Sequence, residues 1–562
     1  MDKIKVMALG GLDEEGKDLY VIEVNDDIFV INAGFKYPDK NTPGIDFIIS
    51  DFSYLVENKH RVKAYILTKT KKNNFGGIPY IYKEVKAPIY CTNLTKIKLL
   101  EFSKQYMQAC DYKFELVSLP GQIKIDNYII DLFSTCCSMP ETFGFSIRTN
   151  VGNIVYCGDF IVEYSNEKYF NLDLNTLGKI AEFPTLLLLS DSLNSTKPGY
   201  CSPNHRLYPI LERYFKEAPG RIFIGLSTEN YYHYNEVYKI CASYNKKICI
   251  YDEEGKAIYN LRKYSQNDFF DPRNIVSLDD IMRVKENELV ILISGEGEKL
   301  YEKLSILASG ENEDKVIRIQ EQDTFIMAYP PSDRNEVVAT STIDELYKSG
   351  CHVKYVTRKN LAKMHAYEED LKMVLSLLKP KFYLPIQGYY VNLLSNAKLA
   401  FDMRIGLTHN NIFLFDNGFS FLYENGECKL DFNLDNKVKI GDVMIDGIGV
   451  GDVVNEIISE RTRLSEDGVV VLSIGISKTS RDISFSPDVQ MRGFLFLKDK
   501  EADLMNKEIT KIFVDESTIW ALETKDFDSS KVESQINKKI LNFLLKTYNR
   551  NPVIRANIIV TE

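Results

Sequence analysis

Ala64-Tyr65-Ile66-Leu67-Thr68 runs directly into Lys69-Thr70-Lys71-Lys72-Asn73-Asn74 and leaves through Phe75-Gly76-Gly77-Ile78-Pro79-Tyr80. The first five residues read as a buried strand and the last six as the entry to a helix. The loop between them therefore occupies a strand-to-helix mouth, where α/β proteins gather functional groups. It carries three lysines and two asparagines. A protonated lysine has no free lone pair and an asparagine oxygen is a weak zinc ligand, so this mouth is poor in metal donors.

Outward from the loop, Ile4 to Leu9, Leu19 to Val24 and Ile28 to Ile31 read as an antiparallel start, separated by Gly-rich and acidic turns. Ala87 to Cys91 is a short strand, while Asn153 to Cys157 and Leu186 to Ser190 are buried strands that end at Asp159 and Asp191. Two carboxylates thus stand at strand C-termini. After Lys197-Pro198-Gly199, strands are predicted at Ile222 to Leu226, Lys247 to Tyr251, Leu289 to Ser294, Val316 to Ile319 and Val353 to Thr357. Helices between them make this a separate α/β unit. A helix from Glu368 to Leu378 precedes strands at Phe382 to Ile386 and Ile412 to Phe415. The last hundred residues change character, with a hairpin-like turn at Ser465 to Gly468 and an amphipathic helix around Lys531 to Tyr548.

The bulk numbers agree with several globular domains: 562 residues, 44% hydrophobic and 26% charged. Met1 to Gly10 alternates charged and apolar residues and lacks the continuous apolar run of a signal peptide. No apolar stretch of membrane-spanning length occurs, and the ten cysteines show no metal-ribbon spacing. A cytoplasmic protein is the expectation. A net charge of -10 argues against a surface that grips nucleic acid everywhere, though not against a local basic channel.

Longer runs carry a resemblance. Ala8 to Lys17 is similar to the opening Gly-rich hairpin of the RNase J family, and Gly44-Ile45-Asp46 with Asp51 to Leu55 follows that family's first domain. Ser190 to Asn194 with Pro198-Gly199 resembles its entry into the inserted domain. Gly441 to Val453 and Arg463 to Gly468 resemble its linker and C-terminal domain. The resemblance implies an α/β chain: a metallo-β-lactamase αββα sandwich, an inserted β-CASP α/β domain and a small C-terminal α+β domain. The implied boundaries are 1–204 and 353–430 for the sandwich, 205–352 for the insertion, 431–455 for a linker and 456–562 for the C-terminal assembly domain.

The same resemblance locates a metal motif of two zinc or manganese ions. The family's His-x-His-x-Asp-His falls on Lys69, Lys71, Asn73 and Asn74; a later His falls on Cys137, and the His of His-Gly-Glu falls on Gln387. Of the family's seven ligand positions only the remaining one, Asp159, is kept. Asn32 stands where the family has an orienting Asp. One carboxylate cannot hold two ions that activate water and clamp a phosphodiester, so no metal cofactor is expected. A salvage site of Cys137, Asp159 and His365 for one zinc is outweighed by reading Cys137 as a small buried residue. Lys69, Lys71 and Lys72 introduce positive charge near Asp159 and Asp191, either neutralising those carboxylates or forming a solvated loop without a role.

Substrate recognition is eroded as well. The family's His-Thr-Ser-Gly-His falls on Leu361 to His365, leaving only His365, which reads as a satisfied surface or capping residue without a defined partner. The phosphate-cradling Ala-Ser-Asn becomes Thr228-Glu229-Asn230, with an acid facing RNA, and Ser294 to Glu298 adds two glutamates to a Gly-rich turn. Candidate RNA or phosphate contacts are Lys69, Lys71, Lys72, Asn230 and His365. The expected role is a non-catalytic structural or regulatory subunit of an RNA processing and decay complex, partnered by an active RNase J paralogue or by itself through the linker and C-terminal domain. The alternatives are an active 5′-3′ exonuclease or endonuclease with an unrecognised metal site, and a scaffold without RNA contact.

Overall fold

The structure, a computed structural model, describes residues 2–38, 42–106, 108–164, 169–261, 263–264, 272–313, 316–332, 334–431, 437–447, 449–450, 455–495, 499–524 and 528–562. Chain contacts divide it into two compact units, Met1–Lys36 with Ile48–Val443, and Tyr37–Phe47 with Met444–Glu562.

Two sheets in the first unit face one another. One runs in the order Glu427–Asp431, Ser420–Glu424, Ile4–Gly10, Leu19–Val24, Asp27–Ile31, Val62–Ile66, Ile89–Cys91, Phe114–Leu116. The other runs Phe382–Ile386, Thr185–Asp191, Gly152–Cys157, Phe143–Thr149, Tyr128–Ser134, Gly121–Ile125. Period-two alternation sorts their side chains. Ala64, Ile66, Ile154, Tyr156, Leu187, Leu189, Phe382 and Leu384 fill the space between the sheets. Outward-pointing Val155, Cys157, Leu188 and Tyr383 are covered by helices Leu174–Ile180, Glu368–Leu378 and Tyr390–Asp402. On the other outer face Tyr65 packs on Tyr82 of helix Ile78–Glu84, and its hydroxyl donates to the Val85 carbonyl at 2.8 Å.

A third, wholly parallel sheet runs Ile275–Val276, Lys247–Ile250, Leu289–Gly295, Ile222–Ser227, Thr324–Met327, His352–Tyr355. Both of its faces are buried, as a parallel sheet requires. Phe223, Ile291 and Phe325 point to one cluster, Ile224, Leu292 and Ile326 to the other. The second cluster continues into Cys136, Cys137, Met139 and Phe170, which seats this lobe against the sandwich beside the strand-end mouth.

In the second unit, strands Ile483–Arg492, Val469–Ser477 and Val553–Thr561 form a sheet. Val470, Leu472, Ile474 and Ile476 pack on Met505, Ile509 and Phe513 of helix Asp499–Glu523 and on Ile536, Ile540 and Leu544 of helix Ser530–Tyr548.

Three local expectations are corrected. Val316 to Ile319 is not a strand; its slot is taken by Thr324–Met327, registered Ile222 to Thr324. The Arg221 guanidinium explains the choice, because it grips the Asp323 carboxylate at 2.9 and 2.6 Å and leaves one N–H for the Arg318 carbonyl at 2.6 Å, so the earlier segment braces the sheet's end. Ile412 to Phe415 makes a single bridge to Tyr383 and is held by the stacked rings of Phe413 and Phe415, 5.7 Å apart. Ser465 to Asp467 is the last turn of helix Asn455–Asp467, closed by Gly468 at a φ of +72°. The expected linker lies partly outside the described residues.

Candidate functional site

Three parallel strands deliver the site. Cys157 is registered with Ser190, and Asp191 with Ile386, so Asp159, Asp191 and Gln387 emerge together at adjacent strand ends. The Thr68–Asn74 loop reaches the same place from the facing sheet. Asn32, at a φ of +58°, pins its start: Asn32 Oδ1 accepts from the Thr68 N–H at 3.0 Å and the Thr68 hydroxyl at 3.1 Å. Asn32 Nδ2 also donates to the Tyr156 hydroxyl at 3.2 Å, which a carboxylate there would be unable to do.

Lys69 dominates the centre. Its Nζ lies 2.5 Å from Asp159 Oδ1, with the side chains only 2% and 4% exposed. Burial works against the ammonium, but Asp159 beside it outweighs this and holds Lys69 above the ordinary lysine value. Burial likewise works against the carboxylate, and Lys69 and His365 overcome it to keep Asp159 below the usual range. A second acid, Asp18, which sequence reasoning passed over, lies beside them. Burial and the neighbouring Asp159 push its carboxyl up to about 8. Gln387 Nε2 donates to Asp18 Oδ2 at 2.9 Å and approaches Asp159 Oδ2 at 3.4 Å, while Asn74 Nδ2 donates to Asp18 Oδ2 at 3.2 Å. The one available signal for Asp18 was its place directly after the Gly16-Lys17 end of the opening hairpin.

His365 has the partner that the sequence did not disclose. Its Nδ1 bonds Asp191 Oδ2 at 2.8 Å and lies 3.4 Å from Asp159 Oδ1, with the side chain 17% exposed. The expectation of a satisfied surface or capping residue without a defined partner is corrected, because the return loop from the third sheet carries His365 over the Asp191 strand end. Cys137 is buried and bonded locally, its Sγ 3.1 Å from Thr142 Oγ1 and accepting from the Met139 N–H at 3.4 Å.

The remaining candidates spread along the cleft. Lys72 Nζ pairs with Glu296 Oε2 at 2.5 Å. Asn230 Oδ1 accepts from the His233 N–H at 3.1 Å and caps helix Tyr231–Ser243. Lys71 is drawn below the ordinary lysine value by burial and by Lys69.

Residues 456–561 match the Ribonuclease J C-terminal domain family. Across 555 residues, 98% of this chain and 97% of the relative, it is 29% identical to Ribonuclease J 2 of Staphylococcus epidermidis. It is also 29% identical over 553 residues to Ribonuclease J 2 of Staphylococcus aureus, again spanning 98% and 97%. The chain belongs to the ribonuclease J family. A crystal structure of a protein of unknown function from Enterococcus faecalis V583 shares its fold, with a TM-score of 0.52 and 16% identity over 75% of this chain and all of that one. The paired sheets, the parallel-sheet lobe and the C-terminal α+β unit are thus the metallo-β-lactamase/β-CASP architecture of this ribonuclease J-family chain.

The centre of this family member does not suit the pair of divalent ions that the family implies. An ammonium sits hard against Asp159, and the oxygens left over at the other positions where the family resemblance places ligands are amide oxygens. Asn73 Oδ1, Asn74 Oδ1 and Gln387 Oε1 are buried without a hydrogen-bond partner, and neutral amides are weak donors for zinc. Among the described residues no group of three or more His, Cys, Asp and Glu side chains is placed to hold a metal ion, and the single-zinc set of Cys137, Asp159 and His365 is not formed.

Proposed function

We propose that this chain is a ribonuclease J-family member that has lost metal-dependent hydrolysis and acts as a non-catalytic structural or regulatory subunit of an RNA processing and decay complex, beside an active member of the family. One observation carries the reading: the Lys69 ammonium, buried and 2.5 Å from Asp159, supplies from within the chain the positive charge that metal ions would bring. A divalent ion entering here would meet that fixed charge, with lysine or amide side chains at five of the seven family ligand positions. The intact sandwich, inserted lobe and C-terminal domain support a role that needs the folded chain. The boundaries 1–204, 205–352, 353–430, 431–455 and 456–562 are proposed as its domain plan.

The test is metal analysis of the purified full chain together with decay of 5′-monophosphorylated RNA in the presence of manganese. The reading expects substoichiometric zinc and manganese and no decay. Stoichiometric metal with decay abolished by Asp159→Ala would overturn it. The subunit role is checked by mixing with an active family member: co-elution and a changed rate or cleavage pattern support it, and separate elution with unchanged kinetics opposes it.

A further inference from the structure

Lys72 in the Thr68–Asn74 loop faces the inserted lobe, and that lobe meets it with an acid. Lys72, at the start of the short helix Lys72–Phe75, reaches across to Glu296 in the turn between strand Leu289–Gly295 and helix Glu298–Ser309. The pair is half-shielded, with the side chains 33% and 25% exposed. Glu229, in the turn between strand Ile222–Ser227 and helix Tyr231–Ser243, lies within electrostatic reach of Lys71, Lys72 and Glu296. Lys72 on one wall is thus paired with Glu296 on the other, and Lys71 and Glu229 add their charges to the same field. At the rim, Lys363 Nζ and Glu15 Oε1 make a second, exposed contact at 3.2 Å, which adds little energy of its own.

We propose that Lys71 and Lys72 close the cleft onto Glu229 and Glu296 as an internal charge seam, which occupies the lysines and keeps a phosphodiester strand out of the space between the lobes. It rests on the reading of this cleft as non-hydrolytic, and it assigns the lysines an intramolecular task in place of RNA contact. The physics is a competition for the same ammonium groups. A phosphate displacing Glu296 from Lys72 releases a carboxylate into the same narrow space, and Glu229 stays beside it, so like charges oppose the entering strand. Glu296 also precedes helix Glu298–Ser309, whose N-terminus has no side-chain cap and already carries an acid, Glu298, in its first turn. Burial and Glu296 raise the Glu229 carboxyl, and Lys71 and Lys72 hold it back.

The experiment uses the full chain and a short oligoadenylate with a 5′-monophosphate and a 3′ fluorophore, read by anisotropy across a salt series. In the natural chain, Lys71→Ala with Lys72→Ala is expected to leave affinity within about twofold. Glu229→Gln with Glu296→Gln frees the lysines and is expected to tighten binding at least about tenfold, steepening the salt dependence by about 0.7 per lysine engaged. That gain disappears when both lysines are alanine. The exchanged pair Lys72→Glu with Glu296→Lys keeps the seam and net charge, and should bind like the natural chain. Loss of natural-chain binding on removing the two lysines would overturn the proposal, as would a folded Gln pair without a gain. The lysine comparison needs no glutamate variant, so it decides even if the Gln pair unfolds. Hydrolysis of the oligonucleotide by the natural chain with manganese would refute the non-hydrolytic reading separately.

Discussion

Replacing Lys69 by methionine keeps most of its length and volume and removes its charge. Asp159 then remains 4% exposed with its strongest partner gone. A buried carboxylate in that position escapes by taking up a proton. From an ordinary value of 3.8, neutralising it at pH 7 requires about 4 kcal/mol, at about 1.4 kcal/mol per pH unit. This agrees with the about 3–5 kcal/mol lost when a buried ion pair is broken from one side. The sign follows from the protons bound. In Lys69→Met the folded state holds a proton that the unfolded state releases above its ordinary value, so the penalty grows as pH rises and shrinks to about 2 kcal/mol near pH 5. Equilibrium urea unfolding of the first unit at about pH 5 and pH 7 measures this. Adding Asp159→Asn removes the stranded charge, and the double variant should recover most of the loss at pH 7, giving a coupling energy of several kcal/mol. A loss under about 1 kcal/mol, a loss independent of pH, or no recovery in the double variant would refute the internal-cation account.

Chelation should leave the melting temperature of the full chain unchanged, because the centre's charge is balanced by Lys69; a drop on adding EDTA, restored by zinc or manganese, would contradict this. His233 is buried, with Nε2 3.0 Å from the His205 carbonyl oxygen, and burial pulls its imidazole from 6.5 down to about 4. The unfolded chain therefore binds the proton first, and stability falls as pH drops from about 6.5 towards 4, by on the order of 3 kcal/mol. His233→Gln should flatten that limb of a melting-temperature profile, and parallel profiles would count against it. Gly34→Ala would place a methyl carbon 1.5 Å from the Asn73 carbonyl oxygen. The loop backbone must move, so thermal melting should show a loss of at least about 2 kcal/mol; an unchanged melt would be inconsistent with this packing.

Much of the architecture was legible because its signals are local. Leu19–Val24, Phe382–Ile386 and Glu368–Leu378 appear as the apolar runs and periodicities indicate. Val316 to Ile319 misled because a short apolar run has strand propensity whether or not a ladder slot is free, and Arg221 with Asp323 awards that slot to Thr324–Met327. Asp18 was invisible for a related reason: nothing in its neighbours reveals that residues far along the chain, Asn74, Asp159 and Gln387, will enclose it.

The residue types alone determine what the centre lacks. Lysine, asparagine, glutamine and cysteine at Lys69, Lys71, Asn73, Asn74, Gln387 and Cys137 have donor properties fixed by covalent structure, so the poverty in metal ligands needs no coordinates. Which charge answers which is decided only by tertiary structure. Lys69 meets Asp159, His365 meets Asp191 and Lys72 meets Glu296 because three strand ends and two lobes bring them within hydrogen-bonding distance. Electrostatic energy depends on separation and burial, and neither is written along the chain.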